Sequence, residues 1–197
     1  MSKAEKTREY IIEKAAPIFN TKGYAGTSLS DIIEATGLTK GSVYGNFENK
    51  DEIAVAVYGY SVNALGKRLD DAMNDRNSAL DKLLAFTEYY RINWRGTFER
   101  GGCPILNASV EADDNLPILK KIVQDSIKNW VSRLTKIIEE GMQNGEFKER
   151  ISSLEHAYLI ITLVEGGILL AKIENNPKRL FSALDRVVKI IKEEIKK

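Results

Sequence analysis

Apolar residues recur along this chain at intervals of three and four, with no alternating stretch of useful length, so the pattern predicts helices and no strands. The first run, from about Ala4 to Thr21, puts Tyr10, Ile11, Ala15, Ile18 and Phe19 on one side. Two short patterns follow, Leu29-Ile32-Ile33 and Val43-Phe47, parted by Gly37. A longer run from about Lys50 to Asn74 carries Ile53, Val57, Tyr60, Leu65 and Leu69 at core spacing, then breaks in Asn74-Asp75-Arg76-Asn77-Ser78. Beyond it the period predicts helices over about 79–95, 104–112, 117–142, 154–174 and 177–196. Glycines 96, 101 and 102, the turn Asp113-Asp114-Asn115, and Gly141 with Gly145 mark the breaks. The expectation is an all-α chain of about nine helices.

The stretch Thr27 to Phe47, TSLSDIIEATGLTKGSVYGNF, is the most informative. Thr27 or Ser28 can cap the free N–H groups of a first short helix, and Gly37 ends it because glycine accepts the positive φ of a sharp turn. Thr39 then caps a second helix, Lys40 to Asn46, whose Val43 and Phe47 face the first. Its outer face reads Thr39, Lys40, Gly41, Ser42, Tyr44, Gly45 and Asn46. An ordinary solvated face carries Glu–Lys pairs four apart, and this one has none. Glycines inside a helix cost about 1 kcal/mol each relative to alanine, so helix stability is not what placed them there. Short and hydrogen-bonding side chains with no acid before Glu48 suit a helix lying in the major groove of DNA.

At these residues the chain resembles the N-terminal DNA-binding domain of the TetR family of bacterial transcriptional regulators (TetR/AcrR type). The matching residues are Thr27-Ser28-Leu29, Asp31-Ile32, Gly37-Leu38-Thr39-Lys40-Gly41, Val43-Tyr44 and Asn46-Phe47. The flanks Phe19-Asn20-Thr21-Lys22-Gly23-Tyr24 and Asn49-Lys50-Asp51-Glu52 match too, so the resemblance covers roughly residues 6 to 55. Ile33 stands where the family often has a small residue, and Gly45 and Asn46 where an aromatic and a histidine are common. The resemblance implies a three-helix helix-turn-helix domain over 1–49 and a ligand-binding and dimerisation domain over 50–197, with helix 50–74 as connector. The candidate DNA interface is Thr27, Ser28, Thr39, Lys40, Gly41, Ser42, Tyr44, Asn46 and Lys50. Ser42, Tyr44 and Asn46 are the candidates for base edges, and Thr27, Thr39, Lys40 and Lys50 for phosphates.

Charge changes the picture little. Lys plus Arg is 29 and Asp plus Glu is 28, so any DNA footprint is a local patch, drawn from Lys3, Lys6, Arg8, Lys40 and Lys50. So few phosphate contacts imply weak binding by one copy and favour a dimer on two half-sites. The single cysteine, Cys103, excludes an internal disulfide and fits a reducing, cytoplasmic setting. No stretch is expected to reach the length of a membrane span, the longest apolar run being Ala157 to Ala171 with Glu165 inside it.

Helix 154–174 is apolar on nearly every side, more than one subunit's core requires, and Gly166-Gly167 would let another helix approach closely. Helix 177–196 shows a milder excess. Both point to a homodimer through helices 154–174 and 177–196, a four-helix interface about a two-fold axis, which the resemblance also implies. Tyr90, Trp94, Phe98 and Trp130 are candidate linings of an effector site, with Asn107, Glu111 and Glu165 as polar contacts; core packing is the alternative for each aromatic. Asn107 and Glu111 lie four apart on one face, and Gly102-Cys103-Pro104-Ile105-Leu106-Asn107 with Glu111 resembles a motif in one subgroup of TetR-type ligand domains.

Catalytic chemistry does not assemble. His156 and Cys103 are the only members of their kinds, and neither a zinc-type ligand cluster nor a phosphate-binding glycine loop is present. The expectation is therefore no enzyme, no cofactor and no metal. The expected function is that of a ligand-responsive transcriptional regulator, a repressor by preference, that binds a palindromic double-stranded DNA operator as a dimer and is released by a small-molecule effector. A DNA-binding activator and a helical small-molecule carrier without DNA binding are the alternatives.

Overall fold

The computed structural model of the chain describes residues 2–114 and 117–197, without the side chains of residues 113 and 114. Its helices are α1 (Lys3–Lys22), α2 (Leu29–Thr36), α3 (Lys40–Tyr44), α4 (Lys50–Met73), α5 (Ala79–Ile92), α6 (Trp94–Glu99), α7 (Pro104–Asp114), α8 (Pro117–Gln143), α9 (Ser153–Ile173) and α10 (Lys178–Lys189). The last runs on as a π-helical turn, Ile190–Ile195. Among the described residues there is no strand, as the helical period predicts.

Four of the starts follow from a single kind of residue. Ser2, Ser28, Ser78 and Ser152 each sit in extended backbone and accept the N–H of the residue three further on. This fills one of the donors a helix start leaves open. The Glu146 carboxylate adds to the start of α5 by accepting from Ala79 and Leu80 at 3.1 and 3.0 Å. The run expected as one helix over about 79–95 divides at Asn93, whose backbone and side-chain N–H groups both donate to the Tyr89 carbonyl. Capping of that kind competes with continuation of the helix, and periodicity does not register it. α7 continues through Asp113 and Asp114, which the sequence assigns to a turn. Asn115 of that turn lies outside the described residues.

The chain forms two compact units. One comprises the chain up to Leu65 together with Arg100–Asp125, and its core holds Ile11, Phe19, Ile32, Val43, Phe47, Ile53 and Tyr58. The other comprises Gly66–Glu99 and Ser126–Lys197, with Leu83, Phe86, Leu134, Ile138, Phe147, Ile168 and Leu184 fully buried. α4 contributes residues to both, and α7 belongs with the N-terminal helices rather than with the C-terminal ones.

In the second unit α9 packs along α10. At their contact Gly167 lies so near α10 that an added Cβ would sit 2.9 Å from the Ala183 Cβ, whereas Gly166 faces open space. The glycine pair thus divides, one serving packing within the chain. Across α9 the apolar side chains of Tyr158, Leu159, Leu169, Leu170 and Ile173 stay exposed. α10 and its π turn instead bury Leu180, Leu184, Val187, Ile190, Ile191 and Ile195, and show Arg179, Ser182, Asp185 and Arg186 to water. The apolar excess expected on both last helices is therefore found on α9 alone. The expectation about membrane length is corrected as well: α9, 21 residues long, is apolar and long enough to cross a bilayer by length and composition. Leu154 and Ile173 extend the apolar run beyond its central part, past Glu155 at one end and Lys172 at the other.

Phe147 closes the second unit's core beside Gly141, with no exposed surface. Phe147→Ala is expected to destabilise the fold by about 3–5 kcal/mol, because cavity cost adds to lost burial. Urea denaturation of the variant beside the parent measures it.

Candidate functional site

The first unit presents a helix-turn-helix. Gly37 ends α2 in the left-handed region at φ 66°, and its N–H donates to the Ile33 carbonyl at 2.8 Å. Thr39 follows in extended backbone and its hydroxyl accepts the Ser42 N–H at 3.2 Å, which starts α3. Val43 is fully buried and Phe47 nearly so, which turns Lys40, Gly41, Tyr44 and Gly45 outward. Tyr44 is 40% exposed despite its size, and the Lys40 ammonium lies 5.9 Å from its ring centre. An exposed aromatic with a cation beside it, on a face of small residues, is suited to a nucleic-acid groove.

What holds this face is Arg8. Its guanidinium donates to the Asn46 carbonyl at the end of α3 and to Glu52 Oε1 at 2.7 Å, and it lies 4.0 Å over the Phe47 ring. Glu52 also accepts the Glu48 N–H at 2.7 Å. That bond first, and Arg8 second, hold its carboxyl below the ordinary carboxylate range. Asn49 Oδ1 accepts the Glu52 N–H at 2.9 Å. Arg8, expected in a phosphate patch, thus gives two of its five N–H donors to the end of α3 and the start of α4. The spacing Asn49-x-x-Glu52 is a capping signature that could have pointed to this end of the anchor, but Arg8 lies 44 residues away from Glu52 and no local signal links them.

Other expected DNA contacts divide. Ser28 caps α2 in a reciprocal box with Asp31, whose carboxylate accepts from the Ser28 N–H at 2.8 Å and from Lys22 Nζ at 2.7 Å. Together these hold the Asp31 carboxyl at about 2, the Lys22 bond being the largest cause. Thr27, expected at a phosphate, is buried and donates its hydroxyl to the Gly23 carbonyl at 2.6 Å, so the turn takes up its side-chain donor. Asn46 donates Nδ2 back to the Ser42 carbonyl at 2.8 Å. Lys50 Nζ lies 3.3 Å from the Ala25 carbonyl.

The seven candidate effector contacts fall into two groups. Tyr90, Trp94, Phe98, Trp130 and Glu165 belong to the second unit, whereas Asn107 and Glu111 belong to the first. Tyr90 is buried, edge-on to Phe86 and Tyr89 with centroids 5.4 and 5.2 Å away. Trp94 packs edge-on to Phe98 at 5.4 Å and to Phe181 at 6.4 Å, with Arg95 4.7 Å over its ring. Trp130 is buried, and its indole N–H has no hydrogen-bond partner among the described residues. Both carboxylate oxygens of Glu165 are shut from water. Asn107 and Glu111 are engaged elsewhere: Glu111 accepts the backbone N–H groups of Tyr24 and Ala25, each at 2.8 Å, and Asn107 donates to the carbonyls of Asn20 and Gly101. Their shared helix face was legible in the sequence, but their partners on α1 and the turn after it lie 86 and 87 residues away. Buried beside Glu111 and Tyr58, the Tyr24 phenol is pushed well above its ordinary range, by burial above all.

Comparison with known proteins agrees with this geometry. Residues 11–57 match the family model for bacterial regulatory proteins of the tetR family, and residues 79–187 the tetracyclin repressor-like C-terminal domain. A TetR-family transcriptional regulator from Cytophaga hutchinsonii superposes with a TM-score of 0.94 at 38% identity, over 100% of this chain and 98% of its own. One from Chloroflexus aurantiacus J-10-FL does so at 0.92 and 34%, over 100% and 99%. The HTH-type transcriptional repressor DhaR of Mycobacterium sp. (strain GP1) is 27% identical over 88% of this chain and 86% of its own.

The depressed Asp31 carboxyl makes a pH test. Its folded value, about 2, lies below its ordinary 3.8, so the stability it adds is complete above about pH 4 and is lost as pH falls through 2. NMR titration should place its midpoint near 2. Asp31→Asn should lose less stability than the parent between about pH 4 and pH 2 in acid-unfolding curves.

Proposed function

This chain belongs to the TetR family of bacterial regulatory proteins, and on that premise we propose that it is a cytoplasmic repressor that holds a palindromic operator as a homodimer until a small-molecule effector releases it. The observation that carries the reading is the outward face of α3, where Lys40, Gly41, Tyr44 and Gly45 stand exposed while Arg8 anchors the helix from behind. Tyr44 and Ser42 are the base-edge and adjacent backbone contacts, and Asn46 acts through the carboxamide oxygen its back-bond leaves. Lys40 and the cap residues Thr39 and Ser28 meet phosphates, which fix register without reading sequence.

Two copies would set their α3 helices in successive major grooves, about 34–36 Å apart. The exposed stripe Tyr158, Leu159, Leu169, Leu170 and Ile173 supports pairing through α9, with Gly166 open for close approach and α10 alongside. Burying that stripe at about 25 cal/mol per Å² drives association. Support for an effector site comes from the second unit, where the Trp130 N–H and the Glu165 oxygens are withdrawn from water. A buried donor without a partner costs about 1–3 kcal/mol, which an effector carrying an acceptor would relieve. An effector bound there would reach the α3 spacing through α4, whose residues the two units share.

Fluorescence anisotropy on the DNA upstream of the chain's own gene tests the reading. The parent should bind, Tyr44→Ala should weaken binding by about 10-fold or more, and Lys40→Ala should weaken it on all sequences and flatten the salt slope by about 1. A carrier that does not touch DNA would show no binding at any salt. Ile173→Glu should turn a dimer into a monomer by light scattering and abolish operator binding with it, since each copy alone makes few phosphate contacts.

A further inference from the structure

α7 carries a clasp that the helix-turn-helix itself does not contain. Glu111 reaches from α7 to the turn between α1 and α2, and its two oxygens accept separately from Tyr24 and Ala25, each at 2.8 Å. The turn is shaped to admit it. Gly23 has φ 80°, and a Cβ there would lie 2.6 Å from Glu111 Oε1. One helical turn earlier, Asn107 Nδ2 donates to Asn20 at the end of α1, to the backbone carbonyl at 3.0 Å and to Oδ1 at 2.9 Å. Asn20 returns Nδ2 to the carbonyls of Arg100 and Gly102 in the loop before α7.

The gripped turn leads directly to the reading apparatus. The Gly23 carbonyl accepts from Thr27, whose neighbour Ser28 caps α2. The Ala25 carbonyl faces Lys50 at 3.3 Å. Both faces of the Ala25 peptide region are thus held, the N–H by Glu111 and the carbonyl by Lys50.

We propose that Glu111, with Asn107 beside it, is a positioning residue for DNA binding: it fixes the turn that sets α2 and Lys50, and so makes α7 part of the reading head. This rests on the repressor reading above. A displacement of α7 then loosens the head without any change in α3 itself, so α7 offers a route of control that does not pass through the exposed face. A carboxylate suits the task because it presents two acceptors to two parallel N–H groups; an amide of the same shape presents one acceptor and one donor. The bonds differ accordingly, since hydrogen bonds to a charged acceptor are the stronger kind.

The test uses the full-length protein with Glu111→Gln and Glu111→Ala. Operator affinity should fall by about 10-fold or more in Glu111→Ala and by a smaller factor in Glu111→Gln. Amide exchange should accelerate at Tyr24 and Ala25 while the amides of α9 keep their protection, and the dimer and the melting midpoint should stay within a few degrees of the parent (about one weak bond's worth). Should the alanine variant fail to fold, the near-isosteric glutamine variant decides alone. Operator affinities within about 2-fold of the parent in a folded variant, or unchanged exchange at Tyr24 and Ala25, would overturn the clasp. Failure of the parent itself to bind DNA would instead overturn the repressor reading, and the clasp's role with it.

Discussion

A helix of five residues cannot hold itself together. The first hydrogen-bonded turn costs more order than it returns, and α3 ends almost as soon as that turn is complete. Its shape and position therefore come from outside it: from the Thr39 cap, from Val43 and Phe47 sunk in the first unit's core, and from Arg8 bound to the Asn46 carbonyl. Each anchor acts on the inner side or at an end. That leaves the outer side unencumbered, which explains how Gly41 inside so short a helix and Gly45 at its cap can be tolerated. Were the helix stabilised by its own surface pairs, those pairs would occupy the outer positions that the repressor reading sets against DNA.

The same need to support a small element from its surroundings runs outward through the unit. Arg8 is held by Glu52, Glu52 by the start of α4, and the α1–α2 turn by α7. Arg8, Lys22, Asp31, Glu52 and Glu111 are all committed to backbone atoms or to one another. A chain of nearly balanced charge has few cations to spare, and several of those at the N-terminus serve architecture first.

The helices were legible in the sequence because their apolar spacing is local, and the helix-turn-helix because caps, turn glycine and outer face lie within 21 consecutive residues. What was not legible depends on partners far along the chain. Nothing near Arg8 distinguishes a phosphate contact from an anchor to Asn46, and nothing near Glu111 distinguishes an effector contact from a grip on Tyr24 and Ala25. Thr27 and Ser28 illustrate the point at its smallest scale. Both hydroxyls suit a cap by type and position, yet Ser28 caps and Thr27 folds inward to Gly23. On α10 the excess of apolar residues was read correctly as a count, but its cover is supplied by the same chain.

Gly166 and Gly167 stand side by side and look in opposite directions, one into the subunit and one out of it. A change at Gly167 strikes α10 and damages the subunit's own packing. One at Gly166 leaves the subunit intact and alters only what can lie against it. Duplicated regulators of this kind that share a cell must avoid forming mixed pairs, since a mixed pair would read neither palindrome well. A single position that changes shape outside without changing it inside gives such copies a way to part company while each still folds.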